Sequence, residues 1–411
     1  MDREREKGTG GVLPQLLGGR IKMSERKDIF SQEIELSKIV LEKTNRAFEL
    51  IQQEDIVRMK KTNTKGKRVY KMQAAAIAGI CILAVSSISV IAAIHHYWGR
   101  GMNGNIQASD AQQQELTEQN IAKVYEEEPD SPSLAVTVNG VTVKPDTVVV
   151  DERFAYMSFS ISGYHVEDGM EPGFDNVNVY QGDNPEDENA WVNMCGTMYD
   201  GIVPDENGTP VYEDGTPLQS DENGRTISHY TDNNGDMEYI IQASVVNEND
   251  SFLGKTMHVN FQDLGTLAKA AFTPVVEGNW DFTITLPDVS SSRTIAVGQK
   301  VGDTGFTLDT IDISPISMKA NYSVEEAPEE HEDDLGIPIV RGVVLKDGTR
   351  LPYLTDAGGT GYTDSSKTNA YHMAGYDRVI DVDEVATLII WPSLTLDNSE
   401  IIEVPIQSLS N

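Results

Sequence analysis

The sequence predicts a mainly β protein, two immunoglobulin-like β-sandwiches preceded by an amphipathic helix and one transmembrane helix. Three observations predict it. After Leu134 the apolar residues alternate with period two, Asn-Gly and Asp-Gly pairs punctuate the alternation, and one long uncharged run stands upstream. Charge divides the same way. Residues 1–73 carry 17 basic and 11 acidic side chains, whereas the whole 411-residue chain has 32 basic against 65 acidic and a net charge of −33. So acidic a chain is not a general nucleic-acid binder, and no direct nucleic-acid contact is expected.

Residues 1–73 read as a cytoplasmic tail. Met1 and Met23 both stand as candidate starts, with the more helix-like stretch opening at Met23. From about 24 to 57, Phe30, Ile34, Leu41, Phe48 and Ile51 recur at helical spacing, giving an amphipathic helix. A segment this short encloses no core of its own, so the stripe calls for a partner: a protein, a second copy or the inner leaflet. Charges of both signs around it favour a protein. Lys60, Lys61, Lys65, Lys67, Arg68 and Lys71 follow as a basic run with no acid among them.

Residues 74–97 are expected to cross a bilayer. Ala74 to Ile94 contains no charge, and its 21 residues reach about 30 Å as a helix. The basic flank puts the N-terminus inside the cell and the acidic remainder outside, while Tyr97 and Trp98 are suited to the membrane–water interface. A cleaved signal peptide would begin nearer the N-terminus. Residues 98–133, rich in Gln, Glu, Asp and Ala, read as an extracellular solvated stalk, helical near 111–124.

The first β domain is expected over 134–287, with an acidic insert at about 184–236, and the second over 288–411. The alternation is clear in Arg153 to Ile161, in Met237 to Val245, in Met257 to Phe261, in Trp280 to Leu286 and in Ile316 to Val324; each predicts a half-buried antiparallel strand. Val385 to Trp391 is almost continuously apolar, as in a strand covered on both faces. The exported part has a lone cysteine, Cys195, expected to be a small buried side chain. With Cys81 in the span, no intrachain disulfide is expected.

Catalytic patterns are missing. The exported part has no G-x-S-x-G elbow, no S-x-x-K pair and no H-E-x-x-H, and its histidines are scattered, so no catalytic residue, resident metal or cofactor is assigned and no enzyme is expected. His258 falls on the polar face of its strand and is expected to meet solvent. Calcium is the one cofactor the composition allows, through the turns around Asp205, Glu213, Asp221 and Asp232, although none follows the EF-hand order. Ordinary hairpin turns explain these residues equally well.

Several segments carry a family resemblance. Ile39-Val-Leu-Glu-Lys-Thr-Asn-Arg-Ala-Phe-Glu-Leu-Ile precedes the basic run and span. Then come Val138-Asn-Gly-Val-Thr-Val, Val148-Val-Val-Asp-Glu-Arg-Phe-Ala-Tyr-Met-Ser-Phe and Glu277-Gly-Asn-Trp-Asp-Phe. This set resembles the domain-of-unknown-function 4179 family of Gram-positive bacteria, membrane-anchored and anti-sigma-like. The stretch with Ile313-Ser-Pro-Ile resembles the immunoglobulin-like domain that follows it. The resemblance implies a cell-membrane protein whose inside segment holds a cytoplasmic sigma factor without zinc, residues 1–73 having no His or Cys, and whose ectodomain senses an envelope or cell-wall ligand. The alternative is a surface adhesion or structural module for which the helix is only an anchor.

Overall fold

The computed structural model describes residues 98–406, apart from 126–133, 167–168, 183, 186, 188–189, 206, 269–270, 327–334 and 394–400. The chain divides into two units, Met1–Ala84 and Val85–Asn411, and every described residue belongs to the second. The readings for residues 1–97 therefore lie outside the described residues: the stripe Phe30, Ile34, Leu41, Phe48 and Ile51, the basic flank Lys60 to Lys71, the uncharged run and Tyr97. Among the described residues no helix is long and apolar enough to cross a membrane.

The described structure is mainly β, in four larger sheets and one hairpin, with all neighbouring strands antiparallel. Two short helices come first, α1 (Arg100–Asn105) and α2 (Asp110–Glu118), followed by β1 (Ala122–Val124), β2 (Val136–Val138), β3 (Val141–Val150) and β4 (Phe154–Ser162). The chain continues through β5 (Glu171–Gln181), β6 (Asn193–Met198), the hairpin β7 (Ile202–Pro204) and β8 (Pro210–Tyr212), then β9 (Met237–Ser244), β10 (Thr256–Ala268) and β11 (Ala271–Thr285). One sheet runs β1-β3-β4-β9-β6, with β2 also on β3, and the facing sheet runs β11-β10-β5. Between them Phe159, Phe174, Phe261, Trp280 and Phe282 interlock, with the Phe159 and Phe261 rings 4.9 Å apart and edge-on, the arrangement aromatic quadrupoles favour. The buried Trp280 indole N–H donates to the Val141 carbonyl at 3.2 Å.

The second half repeats the plan. One sheet is β12 (Arg293–Lys300), β13 (Phe306–Ile313), β14 (Ser317–Val324), β18 (Asn369–Tyr376) and β17 (Thr355–Tyr362). The other is β16 (Arg350–Leu351), β15 (Ile339–Leu345), β19 (Val385–Trp391) and β20 (Ile402–Pro405). A separate core forms around Phe306, Tyr322, Leu388 and Ile390. The first core lies mostly on strands before β12 but also takes in Ile316, Met373 and Val379, whereas the second is built from Ile295 onward. Asn139 and Gly140, with φ of 49° and 86°, join β2 to β3 in the primed turn that their dipeptide favours.

Three charged neighbours, the acids Asp151 and Glu152 and the base Arg153, join the two halves at the β3–β4 turn. The Asp151 carboxylate is buried and accepts from the Ser314 hydroxyl at 2.5 Å, from the Ser317 hydroxyl, and from the amides of Arg153 and Phe154 at 2.9 and 2.8 Å. Glu152 accepts from Ser290 and Ser292, and Arg153 pairs with Asp312 at 3.1 Å. Two of the segments that carry the family resemblance, the one with Asp151 and the one with Ser314, therefore meet in space.

The structure departs from the sequence expectations in five places. Residues 98–125 are packed onto the first sandwich and are not a solvated stalk: Met102, Ile106, Leu116, Ile121 and Ala122 are buried, and β1 is a strand of the main sheet. β4 keeps its alternation but is covered on both faces, because Tyr156 on the supposed solvent face donates to the Tyr376 carbonyl at 3.1 Å across the junction. Cys195 is exposed, since it lies on the edge strand β6 rather than in the core. The acidic insert is only partly an insert, as β6 belongs to the main sheet. His258 is half-buried and stacks on Tyr180, with ring centroids 4.7 Å apart.

Candidate functional site

Ahead of the first sandwich runs a strap, residues 98–125, whose two helices belong to no sheet and whose last residues join one as β1. Its second helix is locally encoded. Ser109 and Gln112 form a capping box, in which the Ser109 hydroxyl accepts from the Gln112 amide and the Gln112 side-chain oxygen accepts from the Ser109 amide at 3.0 Å. At the other end Asn120 takes a left-handed φ of 56°. The amides of Ile121 and Asn120 return to the carbonyls of Leu116 and Thr117 at 2.9 and 3.1 Å, while buried Ile121 and Leu116 complete the C-terminal motif.

The first helix has no such local encoding. Gly99-Arg-Gly-Met-Asn-Gly104 places three glycines in six residues, a composition that disfavours helix by about 1 kcal/mol per glycine. Contact compensates. A side chain on Gly99 would collide with the carboxylates of Asp146 and Glu238, one on Gly101 with Ile240, and one on Gly104 with the Tyr199 ring. The glycines therefore let this backbone approach two acids and an aromatic ring, while Met102 and Ile106 are fully buried beneath.

Polar contacts fix the strap to three surfaces. Arg100 grips Glu213 through Nε at 2.9 and 3.1 Å, donates to the His229 carbonyl at 2.5 Å and lies 4.9 Å from the Tyr199 ring centre. The Tyr199 hydroxyl also donates to Glu213, at 3.1 Å, and burial with that carboxylate raises its pKa. Gln107 pairs with the second sandwich through main-chain bonds to Asp377 and Val379, both 2.8 Å, and its side chain donates to the Pro204 carbonyl at 2.7 Å. Gln112 reaches the Val379 carbonyl at 2.9 Å. Arg378 is held by Asp377 at 2.9 Å and donates to the Asp205 carbonyl at 3.2 Å.

Beneath the start of α1 lie two carboxylates. Asp146 sits where a bulge interrupts the β3–β4 register between Pro145 and Thr147, the kind of irregularity that re-aims a side chain. Glu238 stands on β9, opposite Ser160 of the strand between. The Gly101 amide donates to Glu238 Oε2 at 2.8 Å, and the Gly99 amide donates to Asp146. Burial, with the Asp146 charge adding to it, pushes the Glu238 carboxyl up to about 7; burial likewise raises Asp146. A polar cleft of about 940 Å³ runs between strap, first sandwich and Val379. The arrangement can bind and release a proton and can hold or free a segment of chain.

Of the side chains assigned from the sequence, Trp98 is the one that the described residues include. It is 5% exposed and packs into the first core, a place that does not suit a membrane-interface ring. Arg100, Asp146 and Glu238 were not legible as site residues, but the glycine spacing at 99, 101 and 104 was a readable signal of close backbone approach. The turn aspartates have their own employment: Asp205, Asp221 and Asp232 each accept from amides two and four residues ahead, and the first two are held below the usual carboxylate range by those bonds. Among the described residues no group of three or more His, Cys, Asp or Glu converges as metal ligands do.

No protein-family model and no curated protein matches the chain. Among solved structures, a conserved domain protein from Bacillus anthracis is similar over 62% of this chain and 74% of its own, at 14% identity and a TM-score of 0.38. The CupB6 tip adhesin from Pseudomonas aeruginosa aligns over 68% of this chain and 93% of its own, at 8% identity and a TM-score of 0.12. At those scores neither carries an argument about fold or function.

Proposed function

We propose that the chain is a single-pass membrane regulator. In this reading the outer part, two immunoglobulin-like sandwiches, senses the envelope, and the amphipathic stripe inside the cell holds a transcription regulator of the sigma-factor class, as the family resemblance implies. The observation that carries the reading is the order of parts along the chain. A basic run and 21 uncharged residues are followed along the chain by a strap, residues 98–125, that is packed into the folded part rather than solvated. Such continuity supports a path by which a change in the ectodomain reaches the span. A flexible stalk would weaken that path.

The test is capture of a sigma factor by the full chain in lipid nanodiscs, alongside Leu41→Asp and Phe48→Asp variants and a known anti-sigma pair as positive control. Retention by the native chain and loss in both variants is the expected result. No retention while the control succeeds would overturn the regulatory reading and leave an anchored surface module, with its ligand outside.

A further inference from the structure

We propose that residues 98–106 form a pH-dependent latch on the first sandwich, closed while Asp146 and Glu238 hold a proton between them and loosened when both are ionised. The proposal concerns the ectodomain alone and is independent of what the cytoplasmic segment binds.

Geometry carries it. Asp146, in the bulge of β3, and Glu238, on β9, come from different strands either side of β4 and converge on Gly99, whose missing side chain leaves room for both carboxylates. Each accepts a main-chain amide from the strap, those of Gly99 and Gly101. The surrounding charges leave the pair poorly compensated. From α1 comes Arg100, but its guanidinium is committed to Glu213 and the His229 carbonyl. From β3, Lys144 acts on Asp146; from the turn before β9, Asp232 and Asp236 add negative charge to the same cleft. A proton shared by the pair removes one of two like charges in a low-dielectric site, which is why one member of such a pair ionises late.

The direction follows. The Glu238 carboxyl titrates at about 7 in the folded chain against an ordinary value of 4.5. Stabilisation of the closed strap is thus fully present below about 4.5 and is lost as pH rises through about 7. A shift of that size changes the opening equilibrium by on the order of 10²-fold. Neutral pH lies on the steep part of this curve.

The experiment is amide hydrogen exchange, read by mass spectrometry on the full chain in nanodiscs at about pH 5.5 and about pH 8, with exchange times rescaled for the intrinsic rate at each pH. Peptides covering 98–106 are expected to lose roughly 10- to 100-fold in protection at the higher pH, while peptides of β10 keep theirs. Glu238→Gln should remain protected at both values. Asp146→Asn, which removes the repulsion but leaves Glu238, should show a smaller fall. Equal protection of the native strap at the two pH values, or an undiminished fall in either variant, would overturn the latch.

Discussion

Asp151-Glu152-Arg153 and the start of the strap are both polar junctions in a structure otherwise held by apolar cores, yet they are built in opposite ways. At the first, each charge has a complementary partner: Asp151 faces two hydroxyls and two amides, and Arg153 faces Asp312. At the second, Asp146 and Glu238 face each other, and the nearest guanidinium is engaged elsewhere. A satisfied buried charge is a weld, because removing one partner strands the rest. A buried pair of like charges is a joint whose strength depends on protonation. Both connect elements more than 90 residues apart in sequence, so neither could be read from local pattern.

Breaking the weld gives the largest effect. Asp151→Ala leaves two serine hydroxyls and two amides without their acceptor inside the interface, at a loss of about 3–5 kcal/mol. Chemical denaturation of the full chain should show a markedly lower midpoint. A midpoint within error of the native one would mean that the two sandwiches do not depend on this junction.

The pH dependence of the second sandwich sharpens the contrast, since its sign is opposite to that of the strap. His372 is buried, its Nδ1 accepts from the Val340 amide at 3.1 Å, and burial together with Arg341 lowers its pKa from 6.5 to about 3. Its contribution to stability is therefore fully present above about 6.5 and is lost as pH falls through about 3, by a few kcal/mol in all. Acid should lower the unfolding midpoint while it tightens the strap. His372→Gln, which can still accept a hydrogen bond but does not titrate, should flatten the acid limb; an unchanged limb would show that another group sets it.

Which of these features the sequence disclosed has a physical explanation. Strands such as Trp280 to Leu286 were legible because the side-chain period survives wherever one face meets water. The gap between β11 and β12 carries no strand, and Pro287 within it has no amide to give a ladder. The strap was not legible, for α2 is polar along most of its length and buries only Gln113 and Leu116, so its apolar content resembles that of a solvated segment. Cys195 misled for a related reason: composition speaks for burial of cysteine, but whether β6 is an edge depends on how the strands are ordered. β4 showed its alternation truly and still has two covered faces, because the second cover arrives from Ile316 and Tyr376.

Gly104→Ala tests whether the strap is held by shape as well as charge. Gly104 lies against the Tyr199 ring with no room for a methyl group, and Tyr199 is itself fixed by Glu213 and Arg100. Overpacking there should cost about 1–3 kcal/mol, seen as lost exchange protection in residues 98–106 with the sandwiches unaffected. Unlike the carboxylate variants, this one should act equally at low and high pH.

The smallest effect belongs to the exposed turns. Asp221 accepts from the amides of Asn223 and Arg225, a local arrangement that the unfolded chain can also sample, and its carboxylate touches neither junction. Asp221→Ala should leave the denaturation midpoint and the strap's exchange unchanged. Millimolar calcium should likewise leave the midpoint where it is, because a ligand that binds only the folded state raises it. A calcium-dependent rise that disappears in Asp221→Ala would contradict the assignment of this carboxylate to its own turn and would favour a surface-binding role for the acidic segment.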